Sequence, residues 1–310
     1  MKLVFCGTPL FAVPSLKAVL AAGHEVALVL TQPDKPAGRG MALRPSSVKQ
    51  FALEQGLAVA QPDKLRNNVE IESQLREIAP DAICVVAYGK LIPTWMLELP
   101  RFGNINVHGS LLPKYRGAAP IQWAVANGEA ETGVTTMLLN EGLDTGDMLL
   151  ERRLAIPTTA TSAELFPQLS EVGASALVET LAGLEAGTIQ RQKQDDSEAT
   201  LAPQLTREDG NANPAERNAL CIFNRWRGFQ PWPGAYTMLR GKRFILKELS
   251  LVSEVKVSAG TLEVRDGKLL MGTSDGSALE LLEVQLEGKP AMPGGQFARD
   301  FQVKSGERVG

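Results

Sequence analysis

The sequence predicts an α/β domain with a mostly parallel, Rossmann-like sheet, followed by a smaller OB-like β-barrel. Three observations lead to this prediction. The chain has 310 residues, which is more than one typical domain needs. Short apolar runs alternate with helical patterns up to about residue 186, and a polar stretch at residues 187–210 then interrupts the periodicity. We therefore expect a first domain at residues 1–189, a linker at residues 190–209 and a C-terminal domain at residues 210–310.

The first domain begins with a buried strand at residues 3–6. The sequence then predicts Thr8 as the N-cap and Pro9 as the first residue of a helix that ends near residue 22. Further strands are predicted at residues 26–31, 82–87 and 104–107, and further helices at residues 69–78, 120–125 and 162–184. Alternating strands and helices predict a largely parallel sheet, in which ligands bind beyond the carboxyl ends of the strands.

The second domain is predicted to start with a helix at residues 214–226. Short apolar segments follow at residues 243–249, 261–264, 268–271 and 278–284, and Gly and Asp turns separate them. This pattern is typical of a small β-barrel, and OB-like barrels commonly bind nucleic acids.

The composition is that of a soluble globular protein with a net charge of −3. The sequence shows no signal peptide and no apolar run as long as a membrane span, so a cytoplasmic location is expected. Its three cysteines are widely spaced and histidine is scarce, which predicts reduced thiols and no metal site. Residues 207–247 hold eight basic and three acidic residues, which suits either a phosphate-facing patch or a solvated surface.

Only two histidines are available for acid-base chemistry. His24 lies in a Gly-His-Glu turn and is interpreted as a surface residue. His108 ends the run Asn-Ile-Asn-Val-His, where strand alternation places Asn106 and His108 on one face at the carboxyl end of a strand. Burying an amide and an imidazole together costs free energy unless both are hydrogen-bonded. The pair is therefore either a satisfied structural network or a reactive site.

Residues 108–120, HGSLLPKYRGAAP, resemble the signature of the formyltetrahydrofolate-dependent formyltransferases. The resemblance implies that Asn106 and His108 flank the formyl group. It also implies that a loop packs against the folate; this loop consists of Ser110, Leu111, Leu112 and Pro113. The third catalytic residue of the family matches Asp144 in EGLDTGD, although spacing alone would not choose between Asp144 and Asp147.

The chemistry of formyl transfer needs these residue types. An amine that attacks a formyl carbon forms a tetrahedral oxyanion while its own nitrogen becomes cationic. Asn106 can donate a hydrogen bond to the oxyanion, and His108 can donate as well in a suitable protonation state. Asp144 would hold and polarise His108 and help to move the amine proton to the departing folate nitrogen. The reaction requires neither a metal nor a covalent intermediate.

Three further segments resemble the branch of the family that formylates methionyl initiator tRNA: TQPDKPAGRG at residues 31–40, VAYG at residues 86–89 and QPWPGAY at residues 230–236. The resemblance implies that a basic loop contacts the tRNA acceptor end; its basic residues are Lys35, Arg39, Arg44 and Lys49. Arg39 is the strongest candidate because it lies between two glycines and a guanidinium can bind phosphate or stack on a base. Met41 and Ala42 stand where the branch usually carries lysines, so weaker attraction for phosphate is expected. The usual Asp-Trp near residues 210–214 is also replaced, which affects the expected details of the linker.

Several alternatives were weighed against this prediction. A nicotinamide-dependent oxidoreductase would need GxGxxG after the first strand and an acidic residue after the second, where the chain has Gln32. A non-catalytic RNA-binding module would leave the three polar residues without a task, and a glycinamide ribonucleotide formyltransferase would end near the linker. An aminosugar-nucleotide N-formyltransferase remains the alternative. The expected co-substrate is 10-formyltetrahydrofolate, the expected partner is initiator methionyl-tRNA, and the expected state is a monomer.

Overall fold

A computed structural model describes residues 1–37, 42–253 and 255–310. The chain divides into two compact units, each of which is built from several segments. The first unit comprises Met1–Pro120, Glu131–Ala155 and Phe166–Ala202. The second comprises Ile121–Ala130, Ile156–Leu165 and Pro203–Gly310. No helix in the described ranges is long and apolar enough to cross a membrane.

The first unit contains a seven-stranded sheet with the order β5-β2-β1-β6-β7-β8-β9. Its strands are β1 (Lys2–Gly7), β2 (Glu25–Leu30), β5 (Val59–Ala60), β6 (Ala82–Val86), β7 (Asn104–His108), β8 (Glu131–Leu138) and β9 (Met148–Ala155). A separate antiparallel pair joins β3 (Lys35–Ala37) to β4 (Ala42–Arg44). The five strands from β5 to β7 run parallel, whereas β8 and β9 pair antiparallel with their neighbours. The mostly parallel sheet confirms the predicted fold of the first domain.

Helices connect these strands, and the helices predicted at residues 69–78, 120–125 and 162–184 are confirmed within two residues at each end. The helices are α1 (Val13–Ala21), α2 (Ser47–Glu54), α3 (Val69–Ile78), α4 (Thr94–Leu97), α5 (Pro120–Ala126) and α6 (Ser162–Ala186). The α6 helix lies close against the sheet within the first unit, since a Cβ on Gly173 would come within 2.8 Å of Val107 Cγ1. Core strands such as β1 and β6 are buried on both faces, which explains their continuous apolar sequence.

The start of the first helix differs from the prediction. Thr8 does not cap a helix: its Oγ1 donates to the carbonyl of Tyr88 (3.1 Å) and accepts from the backbone N–H of Gln32 (3.4 Å). A short 3₁₀ turn (Leu10–Ala12) precedes α1, and Pro9 occupies its N-cap position. The hydroxyl is therefore used to tie together the ends of three strands, a long-range contact that local pattern does not reveal.

The second unit contains an antiparallel sheet that curves into a nearly closed barrel, as predicted. Its elements are α7 (Ala219–Gly228), β10 (Ala235–Leu239), β11 (Lys242–Val252), β12 (Thr261–Arg265), β13 (Lys268–Gly272), β14 (Ala278–Leu286), β15 (Met292–Pro293), α8 (Gly294–Asp300) and β16 (Glu307–Arg308). The strand order is β10-β11-β14-β13-β12-β16, and β15 pairs with β14. The core is mostly aliphatic and includes the rings of Phe244 and Phe297, whose centroids lie 4.9 Å apart.

The helix predicted at residues 214–226 begins later than expected. Asn218 caps α7 by accepting a hydrogen bond from the Cys221 N–H at 2.8 Å. Asn213 has a positive φ of 41°, so the chain at the predicted start is a turn. The N-cap that the structure shows is therefore four residues after the predicted start, at a residue type that caps helices well.

Two arginines of the basic stretch at residues 207–247 point into the protein. The Arg227 guanidinium is buried and donates to the carbonyls of Pro157 and Ala160 and to the Asn224 side chain. Arg225 lies over the rings of Trp123 and Phe229, and burial lowers its pKa. These two residues stabilise the second unit, and their guanidinium groups are not available to bind phosphate.

Candidate active site

The strand β7 carries both predicted polar residues on one face. Asn106 and His108 are two residues apart, and Val107 between them faces the opposite side, toward Gly173 of α6. His108 is 5% exposed, whereas Asn106 is only partly buried. Within the described ranges the Asn106 side-chain amide has no hydrogen-bond partner. Asn106 is therefore available to bind a ligand.

Both ring nitrogens of His108 face a polar group. Nε2 lies 2.9 Å from the carbonyl oxygen of Tyr115, and because a carbonyl only accepts, Nε2 carries the donated proton. Nδ1 lies 3.6 Å from Oδ2 of Asp144. In the neutral imidazole Nδ1 is thus the unprotonated nitrogen, and it faces a carboxylate. A protonated ring would donate to that carboxylate, so the pair can hold a proton taken from a reacting group.

The Asp144 carboxylate is fixed by the backbone around it. Asp144 has a positive φ of 52°, a conformation that Asp tolerates better than most residues. Its Oδ2 accepts a hydrogen bond from the Gly117 N–H at 2.8 Å. The structure therefore brings Asp144 to His108 as the sequence predicts, while Asp147 lies outside this contact, its backbone carbonyl accepting from the Leu138 N–H.

The predicted folate loop is pinned between β7 and β8. Ser110 and Leu112 are buried, and Leu111 and Pro113 are partly buried. Ser110 Oγ donates to the Lys114 carbonyl at 2.6 Å. Thr135 on β8, which pairs in register with His108, donates through Oγ1 to the Ser110 carbonyl (2.7 Å) and accepts from the Leu112 N–H (3.1 Å).

The predicted tRNA-contacting residues differ in their surroundings. Lys35 and Arg44 are both exposed and pair in register on β3 and β4. Lys49 is engaged, since its Nζ lies 2.7 Å from Asp34 Oδ2, and hydrogen bonds from Lys49 and Gln61 lower the pKa of Asp34. Arg39 lies outside the described residues.

Two site residues were not predicted from the sequence. Thr135 holds the predicted folate loop, and Gln194 donates from its side-chain amide to the carbonyl oxygens of Asp144 and Gly146. Thr135 lies in a Thr-rich strand that resembles any other β-strand, and Gln194 lies in a polar stretch that resembles a linker. Only the strand pairing and the long-range contacts distinguish them.

No cluster of three or more His, Cys, Asp or Glu residues that could hold a metal occurs in the described ranges. The thiols of Cys6 and Cys84 are free and buried, and burial raises the pKa of Cys84 to about 12. Neither is poised for nucleophilic catalysis, since the reactive form of cysteine is the thiolate.

Comparisons with known proteins identify the family to which the chain is similar. The model of the formyl transferase family matches residues 1–181, and that of the formyl transferase C-terminal domain matches residues 204–302. A methionyl-tRNA formyltransferase of Acidobacterium capsulatum is 60% identical over 100% of both chains. One of Koribacter versatilis is 55% identical over 100% of this chain and 99% of its own. An N-formyltransferase structure from Helicobacter canadensis, in complex with folinic acid and dTDP-3-aminofucose, has a TM-score of 0.66 at 19% identity and covers 91% of this chain and 98% of its own.

The solved structure supports the fold alone, because its sequence identity is low. The relatives carry the assignment further, since they match the chain from end to end at high identity. The two family models together account for both parts of the chain. The chain belongs to the formyltransferase family and, within it, to the methionyl-tRNA formyltransferases.

Proposed function

We propose that this protein transfers the formyl group of 10-formyltetrahydrofolate to the amino group of methionyl initiator tRNA, giving formylmethionyl-tRNA for translation initiation. The observation that carries the proposal is the arrangement on β7. An Asn106 amide with no hydrogen-bond partner among the described residues lies two residues before a histidine whose Nδ1 faces a carboxylate. An oxyanion donor and a proton acceptor are what amine formylation needs.

The proposed roles of Asn106, His108 and Asp144 follow from this geometry. The amine nitrogen bonds to the formyl carbon, and the Asn106 amide donates to the oxygen that becomes negative; such a donor contributes about 3–4 kcal/mol in other enzymes. The Nδ1 and Oδ2 atoms accept the proton that the amine loses. That proton then passes to the folate nitrogen as its bond to the formyl carbon breaks, so the enzyme returns to its starting state.

The folate donor is proposed to pack against the loop formed by Ser110, Leu111, Leu112 and Pro113. Three features support this proposal. The loop follows His108 directly, Thr135 holds its backbone on one side, and Ser110 closes it internally. A rigid loop can offer apolar contacts to a flat ring without losing conformational entropy on binding.

The tRNA is proposed to contact Lys35, Arg39, Arg44 and Lys49 in the first domain. Lys35 and Arg44 place two positive charges opposite each other on β3 and β4, with no acidic partner among the described ion pairs. Lys49 would have to release Asp34 to contact phosphate. We further propose that the chain works as a cytoplasmic monomer, with a catalytic domain at residues 1–189, a linker at residues 190–209 and a tRNA-binding domain at residues 210–310.

An aminosugar-nucleotide N-formyltransferase is the second candidate. It is favoured by the structural likeness to sugar N-formyltransferases, one of which covers 94% of this chain with a TM-score of 0.65 at 20% identity. This likeness concerns the fold, whereas the relatives at 44–60% identity are named as acting on methionyl-tRNA. We therefore favour the tRNA substrate.

The test is formyl transfer from 10-formyltetrahydrofolate to three acceptors assayed side by side: methionyl initiator tRNA, an aminosugar nucleotide and glycinamide ribonucleotide. Product on tRNA alone is expected. Product on a small amine alone would keep the chemistry and overturn the substrate. Product on none of them would overturn the proposed function.

A further inference from the structure

A segment that follows α6, residues 192–202, runs along both loops of the candidate site. Gln192 exchanges both backbone hydrogen bonds with Met148 at the start of β9 (2.8 and 2.9 Å). Farther along, the Arg116 N–H donates to the Thr200 carbonyl (2.9 Å), and the Ala202 N–H donates to the Arg116 carbonyl (2.7 Å). The segment therefore contacts the chain just after Asp144 and the loop just before Gly117.

The side chain of Gln194 lies between these two contacts. Its Nε2 donates to the carbonyl oxygens of Asp144 and Gly146, each at 2.8 Å. Its Oε1 accepts from Nε of Arg116 at 2.9 Å. Since carbonyls only accept and a guanidinium only donates, these partners fix the orientation of the amide and use every proton it has.

The two carbonyls belong to the turn that gives Asp144 its unusual backbone. Asp144 is in the left-handed region, and Gly146 is tightly enclosed, since a Cβ there would lie 1.7 Å from the Leu138 carbonyl oxygen. By binding the carbonyls on both sides of Thr145, the Gln194 amide holds this turn in one conformation. The direction of the Asp144 side chain depends on that conformation.

The acceptor side of Gln194 reaches the other anchor of Asp144. The Arg116 side chain is 8% exposed and is bound to Gln194 Oε1 and Asp196 Oδ1. The next residue is Gly117, whose N–H binds Asp144 Oδ2. The Gln194 side chain thus connects the turn that contains Asp144 with the segment at Arg116, next to the Gly117 N–H that binds the Asp144 carboxylate.

We propose that Gln194 is a positioning residue that sets the distance between the Asp144 carboxylate and His108 Nδ1. The role assigned to the pair rests on the proposed function. Gln194 touches neither ring nor carboxylate, so it acts on the reaction only through Asp144.

The first test replaces Gln194 by methionine, which has a similar length and makes no comparable hydrogen bonds. We expect Gln194→Met to lower kcat at least about tenfold, because small displacements of catalytic groups have large effects on rate. The KM values for 10-formyltetrahydrofolate and charged tRNA should stay within about twofold. Gln192→Met is the matched control, since this exposed residue contributes through its backbone, and it should retain kcat. Equal kcat losses in the two variants, or an unchanged kcat in Gln194→Met, would overturn the proposal.

A second variant separates the two halves of the amide. Gln194→Glu keeps an oxygen for Arg116 but loses the donors to Asp144 and Gly146, so we expect it to lose kcat as Gln194→Met does. A double-mutant cycle with Asp144→Asn under single-turnover conditions then tests the route of the effect. Gln194→Met should cost much less rate when Asp144 is already Asn. The same fold-loss in both backgrounds would contradict positioning through Asp144.

A measurement without substrate keeps this test independent of the proposed function. The chain has two histidines, so in a tag-free His24→Gln background the imidazole NMR signals belong to His108. Adding Gln194→Met should shift these signals, and adding Gln192→Met should not. Unshifted signals would overturn the positioning role, whereas shifted signals in a protein that formylates no amine would overturn the proposed function alone.

Discussion

At the scale of single residues, the occupied Nε2 of His108 limits what this side chain does. Because Nε2 is held by the Tyr115 carbonyl, the donor for the oxyanion is proposed to be Asn106, and His108 acts with Asp144 on the proton. The sequence alone left His108 as a further oxyanion donor. The hydrogen bond to Tyr115 favours the role in proton transfer.

Replacing His108 by alanine should abolish transfer without unfolding the protein. Loss of an acid-base group typically lowers the rate about 10²–10⁴-fold. Alanine keeps the backbone pairing of position 108 with Thr135 of β8, so the fold should be retained. The measurement is kcat for formyl transfer beside a far-ultraviolet circular dichroism spectrum. His24→Ala is the matched control and should retain activity, since His24 lies at the opposite end of the sheet. Residual activity in His108→Ala within tenfold of the wild type would contradict the proposed role.

The other histidine should affect stability instead. His24 Nδ1 lies 3.3 Å from the positively charged N-terminal amino group. The negative charge of Glu185 has the opposite effect on His24 and raises its pKa. Burial first, and the positive N-terminus second, lower the pKa of His24 from 6.5. Since the folded state disfavours the proton, stability is full above pH 6.5 and decreases as the pH falls through the interval between the unfolded and folded pKa values.

This sign gives a prediction for thermal unfolding. Between pH 7.5 and pH 5.5 the melting temperature of the wild type should fall more than that of His24→Gln, which cannot take up the proton. The difference between the two proteins isolates His24 from every other titrating group. Parallel melting curves over this interval would show that His24 has no such effect.

At the scale of elements, the sequence predicts those site residues for which the local strand pattern and the chemistry of the side chain agree. The alternation in β7 is sufficient to place Asn106 and His108 on one face, because one polar residue in two is a direct sign of strand geometry. The resemblance selects Asp144, which spacing could not. Thr8 was assigned wrongly, because a threonine before a proline fits a helix cap as well as the strand-end contact to Tyr88 that the structure shows.

The strand β8 contains a difference between two residues that the sequence does not predict. Thr135 and Thr136 are adjacent and both buried, but their hydroxyls have different partners. Thr135 binds the predicted folate loop, and Thr136 binds Thr180 of α6 at 2.7 Å. No property of the two residue types distinguishes them. Only the register of β8 against β7 determines which hydroxyl faces the site.

The contrast between these threonines gives a matched pair of variants. Thr135→Val keeps the shape but leaves the Leu112 N–H and the Ser110 carbonyl without their partner, at a cost of about 1–3 kcal/mol for each buried group. We expect the KM for 10-formyltetrahydrofolate to rise about tenfold, measured by initial rates at saturating tRNA. Thr136→Val should lower the melting temperature comparably and leave this KM unchanged. A similar KM in both variants would exclude a specific role for Thr135 in folate binding.

At the scale of the whole molecule, the order of helices and strands predicts the folds of both domains. It does not predict the contacts that the segment between them makes. The sequence predicts a linker at residues 190–209. Its first part, residues 190–202, lies in the first unit and contacts both loops of the candidate site through Gln194 and Thr200. Polar residues carry no periodicity when they bind backbone groups of distant loops. Composition and local sequence pattern therefore do not predict long-range contacts of this kind.

Charge is the property of the whole molecule that should control tRNA affinity. The protein is acidic overall, with a net charge of −3, so attraction for RNA depends on local clusters such as Lys35 and Arg44 on β3 and β4. Each phosphate contact releases counterions and makes binding weaker as salt rises. The KM for charged tRNA should therefore increase steeply between low and physiological salt, whereas the KM for the folate should change little.

Arg39→Ala tests this argument at one position. We expect the KM for charged tRNA to rise. The slope of log KM against log salt should decrease by about one, which corresponds to the loss of one phosphate contact, and folate kinetics should stay unchanged. Arg76→Ala is the control, because Arg76 is held by Glu72 one turn away on α3 and should leave tRNA kinetics as they are. If Arg39→Ala alters neither the KM for tRNA nor its salt dependence, the segment between β3 and β4 does not contact the nucleic acid, and affinity must come from other basic residues, including those of the second domain.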